Sequence, residues 1–238
     1  MQSQFSRTTL MFGEERMEKL YSSHIAVFGI GGVGGYVAEA LVRSGISHID
    51  LIDNDTVNLS NLNRQIIATY DTLNEYKTDA AKKRILSINP NAQVNTYNLF
   101  ITPETSNKID FSKYDYIADC IDTVSGKLEL ITKAKQESVK IISCMGTGNK
   151  INPCELEVDD IYNTSVCPLA RVIRSECRKR GIDSLKVLYS KEKPLKPITE
   201  QRSSSGKPIP ASNSFVPSCA GIIIASEIIK DITGIQNK

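Results

Sequence analysis

The run Gly29-Ile30-Gly31-Gly32-Val33-Gly34 is a GxGxxG pattern that directly follows an apolar run and opens a helical one. A phosphate-cradling loop needs that setting. Small residues let the backbone turn tightly and approach phosphate oxygens, while a helix N-terminus offers unpaired N–H groups and a partial positive charge. Asp53 ends the next apolar run, 19 residues beyond Gly34, where a carboxylate can accept hydrogen bonds from a ribose. Glycines serving only to pack a turn would explain the loop, but not the strand, helix and acidic residue around it. These residues leave the ligand open among NAD, FAD and ATP.

Downstream of Asp53, the segment NDTVNLSNLNRQ (54–65) is too rich in functional groups for a simple connector. Asn61 and Arg64 lie within it, and Lys77 follows. Two fixed cations off the C-terminal edge of a parallel sheet would neutralise a triphosphate and stabilise charge on departing pyrophosphate. Asp122, just past the fourth apolar run, falls on the same edge. A carboxylate there can hold Mg²⁺, which usually binds through one or two carboxylates plus substrate phosphates. Taken singly, Arg64 and Lys77 would read as surface charges; with Asn61 and Asp122 they read as a nucleotide site.

Such residues must be carried by a particular set of elements. β-branched runs at 24–29, 48–53, 92–98, 114–119 and 139–145 alternate with helical patterns at 33–44, 78–88 and 125–137. The alternation predicts βαβ units with right-handed crossovers and helices on the sheet faces. The expected fold class is α/β, a Rossmann-like doubly wound, mostly parallel sheet with a smaller C-terminal α+β extension. That extension holds a strand at 155–158, a helix at 168–180, a strand at 185–190 and a C-terminal helix. Residues 1–238 read as one domain, with a nucleotide-binding half (1–150) and a substrate-side half (151–238). Four of the nine prolines and the run QRSSSG fall within 191–214, which predicts an exposed, mobile loop.

A chain of 238 residues with 40% hydrophobic content can bury a large core, which excludes disorder as the default state. MQSQFSRTTL has no apolar stretch of the signal-peptide kind, so a cytoplasmic location is expected. The longest apolar stretch, Phe215 to Ile229, is interrupted by Pro217, Gly221 and Glu227 and reads as a core helix, so no membrane partner is expected. The six cysteines form no CxxC pair, which argues against a disulfide framework and predicts no zinc. Cys167 precedes Pro168 at a helix start near Arg171, a setting that could activate a thiol, but it is read as an ordinary free cysteine. Cys120, Cys144 and Cys219 read as small core residues. His24 and His48 sit at strand starts, not where an acid or base would meet a nicotinamide, which weakens an NAD-binding oxidoreductase.

The net charge of +2 conceals an asymmetry, because residues 165–207 carry 11 Lys or Arg against 4 Asp or Glu while residues 1–164 are net acidic. A polyanionic partner is the functional reading. Arg171, Arg174 and Arg178 fall at i, i+3 and i+7 and share one helix face, leaving Leu169, Val172 and Ile173 to turn inward. Lys191, Lys193, Lys196, Arg202 and Lys207 extend the basic surface into the following loop.

GIGGVGG, LIDNDTV, SNLNRQ, the lysine of EYKTDAA and CIDTVSGK resemble the ubiquitin-activating-enzyme superfamily, whose bacterial members adenylate carboxylates. The resemblance spans nearly the whole chain. It implies that Gly29, Gly31, Gly32, Gly34 and Asp53 hold the adenosine and phosphates of ATP, that Asn61, Arg64 and Lys77 contact the phosphates, and that Asp122 positions Mg²⁺. It also implies a homodimer in which Arg7 of FSRTTLMFG reaches into the neighbouring subunit's site, making Arg7, Arg64, Lys77 and Asp122 the catalytic set. FSRTTLMFGEERMEKL, GTGNKINPCELEVDDIYNT before PLARVIR, and SNSFVPSCAGIIIASEIIKD are similar to the branch that dehydrates threonylcarbamoyladenosine beside the tRNA anticodon through an acyl adenylate. On that reading tRNA is the polyanion expected for Arg171, Arg174 and Arg178. A sulfur-transfer protein and a monovalent cation are left open. The alternative within the superfamily, activation of a ubiquitin-like sulfur carrier, is disfavoured by the missing paired CxxC zinc ligands.

Overall fold

The computed structural model describes residues 3–203, 206 and 208–235. Its seven strands are β1 (His24–Phe28), β2 (His48–Ile52), β3 (Gln93–Tyr97), β4 (Tyr116–Asp119), β5 (Lys140–Cys144), β6 (Leu156–Asp160) and β7 (Lys186–Ser190). The α-helices are α1 (Ser6–Phe12), α2 (Glu14–Ser22), α3 (Gly34–Arg43), α4 (Lys77–Ile88), α5 (Pro103–Ser106), α6 (Val124–Gln136), α7 (Pro168–Lys179) and α8 (Val216–Thr233). One sheet takes the order β3-β2-β1-β4-β5-β7-β6. All pairings are parallel except β6 with β7, which is antiparallel.

Alternation along β1 shows why both faces must be covered. Ile25 and Val27 join a core with residues of α2, α3, α4 and α8, whereas Ala26 and Phe28 join a second core with residues of α6 and α7. A strand buried on both sides reads as a continuous apolar run, which HIAVF is. The chain crosses from β3, at one edge, over to β4 on the far side of β1. That reversal opens a crevice beyond the carboxyl ends of β1 and β4, where open α/β sheets bind ligands.

The α/β, mostly parallel arrangement agrees with the sequence, and each expected strand and helix exists within a few residues of its expected limits. Helices α1 and α2 were not foreseen; α2 buries only Met17 and Leu20, too few apolar positions for a clear helical period. Val172 was expected to turn inward but is 43% exposed, since α7 already faces the core through Ala170, Ile173 and Cys177. The described residues of 191–214 are largely exposed, as expected, yet the segment is tethered at Leu195 and Ala211. Asn149 donates its backbone N–H to the Ala211 carbonyl at 2.7 Å, its side-chain oxygen accepts from the Ala211 N–H at 2.7 Å, and its carbonyl accepts from Leu195 N–H at 2.7 Å. Among the described residues no helix is long and apolar enough to cross a membrane.

Candidate active site

The glycine loop is built by close backbone approach. Gly29 leaves β1 at φ +86°, and a Cβ there would lie 2.8 Å from the carbonyl oxygen of Cys120 beyond β4. At Gly34, the first residue of α3, a Cβ would meet the Gly29 carbonyl oxygen at 1.8 Å. Neither position admits a side chain. Gly31 differs, because a Cβ there would meet nothing closer than the Gln65 amide nitrogen at 3.9 Å. Its bare backbone faces open space, the form a phosphate cradle takes.

Asp53, just past β2, ties this loop to the next one. One carboxylate oxygen accepts the Ile30 N–H at 2.6 Å and the other accepts the Asp55 N–H at 2.8 Å. Burial raises the Asp53 carboxyl above its ordinary pKa, against the opposing pull of Lys77 and of those two N–H groups. Asp55 in turn pairs with Lys77, whose Nζ lies 2.7 Å from Asp55 Oδ2 and whose backbone N–H donates to the Asp55 carbonyl. Lys77 is 6% exposed, so the first residue of α4 delivers a nearly buried ammonium to the cleft wall.

Arg64 donates from Nη1 to the Ser60 carbonyl and to Asn63 Oδ1, each at 2.8 Å, and has no carboxylate partner among the described residues. Burial pulls its pKa below the usual guanidinium value. Asn61 is buried and accepts the Asn58 N–H on Oδ1, which fixes the turn from which Arg64 projects. Beside it, the buried Gln65 side-chain oxygen has no hydrogen-bond partner. Buried polar groups are normally paired, so this acceptor is suited to a donor that a ligand supplies.

Gly29, Gly31, Gly32, Asp53, Asn61, Arg64, Lys77 and Asp122 line one cleft of about 400 Å³. Gly34 stands behind it as the packing glycine of the loop. Asp122 is exposed on the lip and its carboxylate makes no hydrogen bond or ion pair among the described residues. Those residues hold no group of three His, Cys, Asp or Glu side chains that could enclose a metal. A lone free carboxylate facing phosphate space nonetheless fits Mg²⁺, which takes its remaining ligands from phosphates and water.

Several participants were not singled out from the sequence. Leu99, Phe100 and Ile101, after β3, form an apolar wall on which a base can lie. Thr147, Ser212 and Pro217 close the other end. Beneath the lip, Lys127 and Asp119 are fully buried; Nζ donates to both carboxylate oxygens at 3.1 Å and to Ser143 Oγ at 3.3 Å. Asp119 also accepts the Ile121 N–H at 3.3 Å, so the pair anchors the turn that presents Asp122. Both residues were within sight, Gln65 in SNLNRQ and Lys127 in CIDTVSGK, but only the folded chain shows their burial.

Other expected residues lie elsewhere. Arg7 is exposed on α1 and does not line the cleft of its own subunit. The three α7 arginines do not act alike. Arg171 is exposed, Arg178 lies 5.3 Å over the Tyr162 ring, and Arg174 turns back to donate to the Thr164 carbonyl at 2.8 Å and hydroxyl at 2.6 Å. Lys207 lies outside the described residues. Cys167 is buried, as are Cys144 and Cys177; burial pushes the Cys144 thiol up to about 12 and the Cys120 thiol well above its usual value.

Residues 5–238 match the ThiF family. The chain belongs to that family. Among individual relatives, a tRNA threonylcarbamoyladenosine dehydratase of Bacillus subtilis (strain 168) is 38% identical, over 98% of this chain and 95% of its own length. Two solved structures of the E. coli tRNA N6-threonylcarbamoyladenosine dehydratase TcdA superpose on nearly the entire fold. The complex with AMP has a TM-score of 0.88 at 30% identity, and the complex with ATP a TM-score of 0.86 at 29% identity. Each covers 97% of this chain, which covers 94% of each in return. The cleft lined by the glycine loop, Asp53, Arg64, Lys77 and Asp122 thus lies in a ThiF-family chain.

Proposed function

We propose that this chain is an ATP-dependent adenylating enzyme that dehydrates threonylcarbamoyladenosine next to the anticodon of tRNA. One observation carries the reading: the bare glycine loop, the ammonium of Lys77, the guanidinium of Arg64 and the free carboxylate of Asp122 surround a single cleft. A carboxylate is a poor electrophile until one of its oxygens becomes a good leaving group. The substrate carboxylate attacks the α-phosphorus of ATP, the bond to the β-phosphate oxygen breaks, and pyrophosphate leaves. A nucleophile already tethered to the same nucleoside then attacks the acyl carbon, and AMP departs with the former carboxylate oxygen. The nucleoside has lost one water and gained a ring.

In that sequence Gly31 and the α3 N-terminus hold phosphate oxygens, and Asp53 is placed to accept a ribose hydroxyl. Lys77 and Arg64 stabilise charge developing on pyrophosphate. Asp122 would hold Mg²⁺, which supplies Lewis-acid polarisation of the phosphates. Ring closure needs no covalent enzyme intermediate because the tethered nucleophile has a high effective molarity. The Cys120 thiol, which lines the cleft with its pKa raised, agrees with a route that uses no thiolate.

The same reading makes tRNA the polyanion for the basic half and makes the enzyme a homodimer in which Arg7 serves the neighbouring subunit's cleft. A sulfur-transfer protein and a monovalent cation stand beside it as further candidates. Mixing Arg7→Ala with Lys77→Ala subunits tests the trans role: exchange restores part of the activity if Arg7 acts across the dimer, and restores none if it acts within its own subunit. Mass spectrometry of tRNA nucleosides from cells lacking the protein tests the substrate. The cyclic nucleoside disappears and the open form accumulates if the reading holds, whereas an unchanged profile removes it.

A further inference from the structure

A second cavity, of about 380 Å³, opens between the segment 195–199 and the turn 149–151 and shares Ser212 with the nucleotide cleft. Its volume falls in the range of small-molecule sites. Its walls combine two kinds of surface. Leu195 and Ile198 supply apolar faces, 47% and fully exposed respectively, in a segment that contains Pro194 and Pro197. Lys196, exposed and without a partner among the described residues, and Lys150 supply cations. Lys150 is 3% exposed, and its Nζ makes one hydrogen bond, to the Gly146 carbonyl at 2.9 Å, with no carboxylate paired to it. Apolar faces with a few polar groups around one cavity are the composition of a ligand site.

The tether at Asn149 makes this cavity part of a fixed frame. Asn149 joins Ala211 and Leu195, Asn213 donates to the Lys150 carbonyl at 2.6 Å, and Asn63 from the phosphate-contacting loop donates to the Ser212 carbonyl at 3.1 Å. Both cavities are thus held in register through Ser212.

Resting on the function proposed above, we infer that the second cavity is a nucleobase subsite that takes the unstacked purine carrying the reacting side group. The group then passes Ser212 into the nucleotide cleft, with its carboxylate toward the α-phosphate. Enzymes that act on a base in structured nucleic acid hold it outside the stack between aromatic or apolar side chains and read its edge with polar groups. Leu195 and Ile198 meet the ring face, and Lys150 and Lys196 donate to ring nitrogens. The subsite distinguishes a purine with its substituent from a bare carboxylate, which the nucleotide cleft alone cannot do.

The test uses the full chain and an anticodon stem-loop with 2-aminopurine at the reacting position, a probe that brightens when unstacked and needs no turnover. Ile198→Asp and Lys196→Glu alter exposed side chains, so folding is preserved. Binding to the unaltered protein brightens the probe. Each variant weakens stem-loop binding at least about 10-fold, Ile198→Asp by removing an apolar face from the ring and Lys196→Glu by removing a donor to it, and dims the bound probe while ATP affinity stays unchanged. For Ile198→Asp the slope of affinity against salt also stays within that set by its one added charge, because the residue meets no phosphate. Undiminished brightening in both variants overturns the subsite. Failure of the unaltered protein to bind the stem-loop at all instead overturns the tRNA reading on which it rests.

Discussion

Lys77 Nζ sits 2.7 Å from Asp55 Oδ2, with the ammonium nearly buried and the carboxylate more than half exposed. An exposed acid thus aims a buried cation. Asp55 lies in the same short loop that Asp53 fastens to the glycine turn, so the glycine loop, the Asp53 carboxylate and the ammonium are one hydrogen-bonded unit.

If, as proposed, Lys77 and Asp122 meet charge that grows as pyrophosphate leaves, Lys77→Ala and Asp122→Ala should each lower ATP-dependent turnover by at least about 100-fold, several kcal/mol of lost stabilisation. AMP release with modified tRNA measures this. Near-normal turnover in either variant would take that residue out of the site.

The α7 arginines should separate by role. Arg171→Gln and Arg178→Gln should each flatten the salt dependence of tRNA binding by about one unit. Arg174→Gln should leave that slope alone and lower stability by about 1–3 kcal/mol, since its guanidinium holds the Thr164 carbonyl. Salt titrations of tRNA affinity and urea unfolding of the three variants distinguish them, and a uniform effect on the slope would restore all three as phosphate contacts.

How much of this could be read in the residues depends on the range of the interaction involved. The strand–glycine–helix unit is local, and so Gly29, Gly31, Gly32, Gly34 and Asp53 could be placed from spacing alone. Arg64, Lys77 and Asp122 became legible through their joint pattern, since all three follow strand ends on one sheet edge. What escaped was non-local. Nothing in the period of α7 reveals that Arg174 turns to Thr164, and nothing in CIDTVSGK says that Lys127 is buried against Asp119. Helices α1 and α2 escaped because α1 packs on α2 and α2 on α8, contacts that their own apolar repeats do not announce.

The Asp119–Lys127 pair should be expensive to break from one side. Lys127→Met leaves a buried carboxylate without its cation and should destabilise the fold by about 3–5 kcal/mol. The double variant Lys127→Met with Asp119→Asn should recover part of that loss. Chemical denaturation of the unaltered protein, Lys127→Met, Asp119→Asn and the double variant completes the cycle. Additive losses would show that the pair is not coupled.

Acid sensitivity should trace in part to Asp50, whose fully buried carboxylate sits at the opposite end of the sheet from the cleft. Burial by itself would raise its pKa, but hydrogen bonds from His24, Asn95 and Tyr114 outweigh that, and the folded value lies below the ordinary one. A depressed carboxyl stabilises the fold above its unfolded pKa, about 3.9, and loses that contribution as pH falls through the folded value. Asp50→Asn should therefore cost stability at pH 7 and much less near pH 2. Equal losses at both pH values would contradict the assignment.

In the function proposed above, this cleft uses ATP to remove water from a nucleoside of tRNA. The most direct measurement incubates the purified protein with ATP, Mg²⁺ and tRNA bearing threonylcarbamoyladenosine, and follows nucleotides and nucleosides together. One AMP and one pyrophosphate should appear for each nucleoside that loses the mass of one water. Formation of ADP and phosphate, or loss of ATP with no change in the nucleoside's mass, would contradict the account.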